Sequence, residues 1–204
     1  GARIKTAAQR IIEGTWGEVS CLACGQRYLA DPPRLYSGLP GGIWLVRHPL
    51  ERRGRFVELE AEADRIFSRE FLERPPAVIR EQAAGVRRRI CFGRAQFVEK
   101  LLAFRHGIDD RALECLKLGL SRDLLARLFA HGPWEWMTLA INEQGLEMIA
   151  VTVADQRLIH HTIVRLQEVR RIEAQLQQYE ALFPELFGHL YVNASRYVTE
   201  QVPA

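Results

Sequence analysis

Cys21-Leu-Ala-Cys24-Gly25 is the segment of this 204-residue chain whose residue types and spacing point most directly to chemistry. Two residues between thiolates let both sulfurs reach one tetrahedral ion at about 2.3 Å. A glycine directly after the second cysteine can take a positive φ and turn backbone N–H groups toward sulfur. Together these make the knuckle of a zinc ribbon. Thiol redox is the competing chemistry, but a thioredoxin-like CxxC opens a helix inside a βαβ pattern, whereas Gln26-Arg-Tyr-Leu29 and then Pro32-Pro33 follow here. A third reading leaves two unligated thiols at a turn. A closed structural zinc site takes four ligands, so Cys21 and Cys24 supply half. The other half is expected from the six histidines, from residues ahead of Gly1, or from another chain.

The remaining reactive residues read as structural. Cys91 lies in Ile90-Cys-Phe92 and Cys115 among Ala112, Leu113 and Leu116, so both are expected to be buried free thiols, as suits a reducing cytoplasm. Asp109-Asp110 has the composition of a divalent-cation site, but Asp109 also stands where an N-cap for a helix over 110–118 belongs. His160-His161 falls in what the apolar periodicity makes a helix, where neighbours diverge by about 100° and cannot share an ion. Gly-x-Ser-x-Gly, a P-loop, Gly-x-Gly-x-x-Gly and His-Glu-x-x-His are all missing, so no catalytic residue is assigned and a non-enzymatic protein is expected.

The elements that must hold these residues follow from periodicity and punctuation. A short amphipathic helix over Ile4–Ile12 leads into strands at Trp16–Ser20 and Arg27–Leu29, which place the two thiols at a hairpin tip. Residues 32–42 read as a loop, 43–46 and 56–59 as a strand pair, 61–72 as a helix, 89–92 as a strand, and 95–104 as a helix. Ser121 is expected to cap a helix over 124–129. Residues 136–141 and 146–153 form a hairpin around Asn142-Glu-Gln-Gly145. Asp155 then caps a long helix over 156–182, with Ile159, Ile163, Leu166, Val169, Ile172, Leu176 and Tyr179 along one stripe; residues 190–198 are irregular or a short strand. The fold class is α+β: small antiparallel hairpins, one of them zinc-ribbon-like, packed with helices and completed by the long helix. Trp44, Phe97, Leu101, Leu113, Leu116, Met137, Leu139, Ile141, Ile163 and Leu166 are expected in one interior.

Composition narrows the partners. The 28 basic and 25 acidic residues leave a net charge of only +3, too weak a field to indicate nucleic acid or membrane by itself. Only Lys5, Lys100 and Lys117 among the basic residues are lysines, an arginine bias that fits a GC-rich bacterial genome. Arg47, Arg52, Arg53 and Arg55 beside Trp44, and Arg87, Arg88, Arg89 and Arg94 beside Phe92, keep nucleic-acid binding as the alternative function. The longest uncharged apolar run, Met148–Ala154, is far short of the roughly 20 residues that span a bilayer.

Three stretches carry a family resemblance. Ile11-Ile-Glu-Gly-Thr-Trp-Gly-Glu-Val-Ser-Cys-Leu-Ala-Cys-Gly-Gln resembles the second half of the CpXC domain, a bacterial and archaeal domain of largely unassigned function presumed to bind zinc. Gly42-Ile-Trp-Leu-Val-Arg-His-Pro is similar to that family's aromatic-rich strand, and the helix, Gly-Ile-Asp-Asp-Arg turn and second helix over Phe97–Lys117 come in the family's order. Tyr191-Val-Asn-Ala-Ser-Arg is a weaker echo. The resemblance is closest over 4–120 and implies one domain across 1–204, with 121–204 completing its core. It also implies an earlier CxxC pair that this chain starts too late to contain, and Leu22 stands where the family has proline. The expected function is therefore that of a structural or protein-interaction module, zinc-stabilised through Cys21 and Cys24. Its partner, or a second copy, is expected to meet the distal end of the long helix at Ile172, Leu176 and Tyr179.

Overall fold

The computed structural model describes residues 11–12, 18–20, 23–29, 34–38, 42–124 and 131–200. The chain is α+β and falls into two compact units, 1–101 and 102–204. In the first unit, β1 (Glu18–Ser20) and β2 (Arg27–Leu29) pair antiparallel, with Ser20 opposite Arg27. This is the hairpin expected from the strand signals on either side of the cysteine turn. Of the first helix, residues 11 and 12 are helical and the rest lies outside the described residues.

A second sheet has the order β3 (Arg34–Gly38), β4 (Ile43–His48), β5 (Arg87–Phe92). β4 is antiparallel to β3 and parallel to β5. The stretch read as a loop thus supplies a strand. The strand expected at 56–59 is instead the start of helix α1 (Phe56–Phe67), which buries Leu59, Ala63 and Phe67 at helical spacing. Both edges of β4 are already taken by β3 and β5, so the expected pairing of Phe56–Leu59 with β4 is closed to it. The Glu- and Ala-rich residues beyond it carry helix back to Phe56. A π-helical stretch (Ser68–Glu73) and helix α2 (Ala77–Ala84) complete the crossover to β5.

Strand alternation sends the side chains of β4 and β5 to opposite faces. Trp44 meets Phe67 of α1 edge-on, with centroids 5.2 Å apart. On the same face Arg88 lies over the Phe67 ring and pairs with Asp64. The opposite face carries Arg47, whose guanidinium lies 5.7 Å from the Phe97 centroid. Phe97 belongs to helix α3 (Gly93–Arg105), within which the division between units falls.

In the second unit, Asp109 caps helix α4 (Asp110–Asp123) by accepting from the Arg111 N–H. Ser121 is not a cap: α4 continues through it to Asp123, and the helix expected at 124–129 lies, beyond Leu124, outside the described residues. Strands β6 (Trp134–Asn142), β7 (Gly145–Thr152) and β8 (Leu158–Val164) form an antiparallel sheet. The β6–β7 hairpin is as expected, with the Asn142 carboxamide accepting from Gln144 N–H at the turn. Gly145 there has φ +142, and a Cβ on it would sit 2.3 Å from the Val164 carbonyl oxygen. Gly145→Ala is therefore expected to destabilise the unit by at least about 1–3 kcal/mol, the scale of a forced backbone, read by urea denaturation; a neutral substitution would show that β8 can retreat.

The long helix over 156–182 is replaced by β8 and two short helices, α5 (Leu166–Glu173) and α6 (Leu176–Leu182), with a further one, α7 (Pro184–Phe187), just beyond. The residues from Ile159 to Val164 are rich in β-branched types, which favour a pleated surface. Asp155 accepts from the Arg157 N–H and the Thr152 hydroxyl in the turn between strands, with Gln156 at φ +55, and so caps no helix. Residues 190–198 likewise differ: Ser195–Glu200 is helix α8. Trp44, Phe97, Leu101, Leu113, Leu116 and Ile141 are buried as expected. Met137 and Leu166 are half-buried, while Leu139 and Ile163 are 48% and 53% exposed. A bulge explains β6. Thr138 faces Met148 and Ala140 faces Glu147, so Leu139 is an extra residue that switches the inward phase from Trp134, Trp136 and Thr138 to Ile141.

Candidate functional site

The hairpin tip is the first candidate. Cys24 is exposed at the turn, and Gly25 adopts φ +69, the left-handed conformation the knuckle requires. Cys21 lies outside the described residues. Among the described residues no group of three or more His, Cys, Asp and Glu side chains comes together to hold a metal. Cys91 and Cys115 are buried free thiols. Burial pushes the Cys115 thiol up to about 12 and raises Cys91 still further, so neither is a nucleophile near neutral pH.

The Asp109 carboxylate is committed to Arg111, accepting from Nε at 3.0 Å and Nη2 at 2.7 Å as well as from the backbone. Its own N–H donates to Glu173 of α5, and Arg111 also pairs with Glu180 of α6. Asp109 and Arg111 therefore tie the start of α4 to the short helices. His160 and His161 sit on a strand rather than a helix, and still diverge: His160 packs edge-on against Trp136 at 5.9 Å, while His161 Nε2 lies 3.0 Å from Glu147 on the other face. Ile172, Leu176 and Tyr179 are half-buried on α5 and α6.

Of the arginines weighed for nucleic acid, three are engaged within the protein and one forms an exposed ion pair. Arg47 and Arg89 are buried, Arg88 is engaged by Asp64 and Phe67, and Arg55 pairs with Glu58.

The structure adds a second cluster that the motif search passes over. Asp110, Glu114, Lys117 and Ser121 are all buried on α4. At 100° per residue their spacing keeps them within about 60° of one another, a polar stripe on a helix whose other side buries Ala112, Leu113, Cys115 and Leu116. Lys117 Nζ donates to Glu114 Oε1 at 3.3 Å, with side chains 3% and 0% exposed. Glu114 Oε2 accepts from the Ala194 N–H at 2.8 Å, and Ser121 Oγ from the Trp136 indole at 3.1 Å. Asn193 turns its carboxamide oxygen to the Ser195 N–H at 3.0 Å. Lys117, Ser121, Asn193 and Ser195 help line a cavity of about 10 Å³, room for about one water and none for a substrate. The arrangement ties the Tyr191–Ser195 segment to α4 and β6. The 4-3-4 spacing of polar residues was the available signal, but it reads on paper as an ordinary solvated face.

These features define an α+β protein with Cys24 exposed at a hairpin turn and a buried Glu114–Lys117 ion pair on α4. The sequence profile of the CpXC protein family matches residues 2–117, and the chain belongs to that family. The match ends inside α4. No curated protein and no solved structure matches.

Proposed function

We propose that this chain is a non-enzymatic CpXC module whose hairpin tip is half of a zinc knuckle and which acts by contact with a protein partner or a second copy of itself. The observation that carries the reading is the tip itself: Cys24 exposed on an antiparallel hairpin with Gly25 in the left-handed conformation. The described residues form no group of three or more candidate ligands, so on this reading the site is completed by residues outside that set or by a second chain. Half-buried Ile172, Leu176 and Tyr179, with exposed Leu182, offer apolar surface for the contact. The buried free thiols fit a reducing cytoplasm, and no helix among the described residues is long and apolar enough to cross a membrane.

The test loads metal-stripped chain with zinc, desalts it, and measures metal content and mass on the same samples at two protein concentrations. The expected result is less than one zinc per chain, better retained at the higher concentration, and lost in Cys24→Ser and Cys21→Ser. Retention indifferent to both substitutions removes the knuckle. One tight ion per monomer at high dilution shows that a histidine of this chain completes the site, and a strict monomer at high concentration removes self-association.

A further inference from the structure

His48 ends β4 and is 9% exposed, yet neither ring nitrogen has a hydrogen-bond partner among the described residues. Trp44, four residues earlier on the same face of the strand, is also buried, and its indole N–H has no acceptor among them. An unmet polar group in the interior is a standing cost to the closed structure, and here two lie on the face toward α1, separated by Val46. The His48 ring is tilted against Phe92 of β5 at 5.8 Å.

The layer over this face is thinly anchored. α1 buries three side chains, the π-helical stretch none, and α2 only Ala83, while Val57, Ile66, Leu72 and Val78 stay exposed. Few buried apolar contacts mark the segments that open most readily. We propose that the Leu50–Ala84 crossover is a layer that opens off the β3–β4–β5 sheet in acid, with protonation of His48 as the trigger and the Trp44–His48 face as the surface uncovered.

The direction follows from donors and acceptors. A neutral imidazole tolerates this pocket, whereas the protonated ring would present two N–H donors with no acceptor in place among the described residues. The charged groups bearing on it are Arg52, from the 3-10 turn at Leu50–Arg55, and Glu62 of α1; β5 brings the uncharged Phe92 ring. Burial, then Arg52, hold the imidazole below its ordinary range, and Glu62 opposes them only in part. The open form therefore binds the proton more readily. Closure is fully favoured above about pH 6.5, the ordinary imidazole value, and is lost as pH falls toward the closed-state value. One proton limits the gain in the opening constant to about tenfold per pH unit.

Hydrogen exchange read by mass spectrometry on the intact chain, at pH 7.5 and 5.5 and normalised to intrinsic rates, tests this. Peptides covering 43–48 and 56–67 are expected to lose protection by up to about tenfold at pH 5.5, while those of the β6–β7 hairpin hold theirs. His48→Phe, which fills the space without titrating, is expected to abolish the pH effect. An unchanged effect in His48→Phe, or no acid-dependent loss in the wild-type chain, overturns the proposal. Should the variant not fold, an NMR titration of His48 in the wild-type chain decides the matter: a value below the ordinary imidazole range is expected, and one at or above it overturns the proposal.

Discussion

Lys117→Met is expected to lower the unfolding free energy of the chain by about 3–5 kcal/mol, the usual result of removing one partner from a buried ion pair. The substitution leaves the Glu114 carboxylate fully buried without its ammonium partner. Glu114 has no easy way to escape into solvent, because its second oxygen holds the Ala194 N–H. The double variant Glu114→Gln, Lys117→Met removes both charges and retains an acceptor for Ala194, so it should recover much of the loss. Urea denaturation followed by far-UV circular dichroism measures all three chains. A loss under about 1 kcal/mol for Lys117→Met, the range of an exposed pair, would show that water reaches Glu114 and that the stripe on α4 is not sealed.

Leu101→Ala should weaken the chain by about 2–5 kcal/mol, since Leu101 is 1% exposed and a well-packed site collapses only partly around the missing methyl groups. Its pairing with Lys117→Met is informative because the two residues belong to different compact units. If the whole chain unfolds as one cooperative domain, as the single domain expected across 1–204 implies, both substitutions shift a single thermal transition. Two transitions, each moved by one substitution alone, would mean that 1–101 and 102–204 unfold independently. Leu101→Ala with an effect below about 1 kcal/mol would place Leu101 at a site that repacks freely.

The elements that local chemistry could specify are the ones legible in the sequence. The Gly25 turn, the Asp109 cap and the Asn142–Gly145 turn each act within a few residues, and each is found where the residues place it. Family membership was legible for the same reason, since runs such as Ile11–Gln26 and Phe97–Lys117 are contiguous. What tertiary structure decided involves competition between distant partners. Residues 56–59 become helix because β3 and β5 occupy both edges of β4. The apolar stripe from Ile159 fits a helical period on paper, but β7 offers an open edge and the β-branched residues take it. One bulged residue, Leu139, reverses which side chains of β6 face inward. The buried charges were the least legible. Glu114 and Lys117 have the spacing of a surface ion pair, and only the closure of Tyr191–Ser195 and β6 over α4 removes them from water. Spacing tells which groups can meet, and burial, which depends on what packs over them, determines what that meeting is worth.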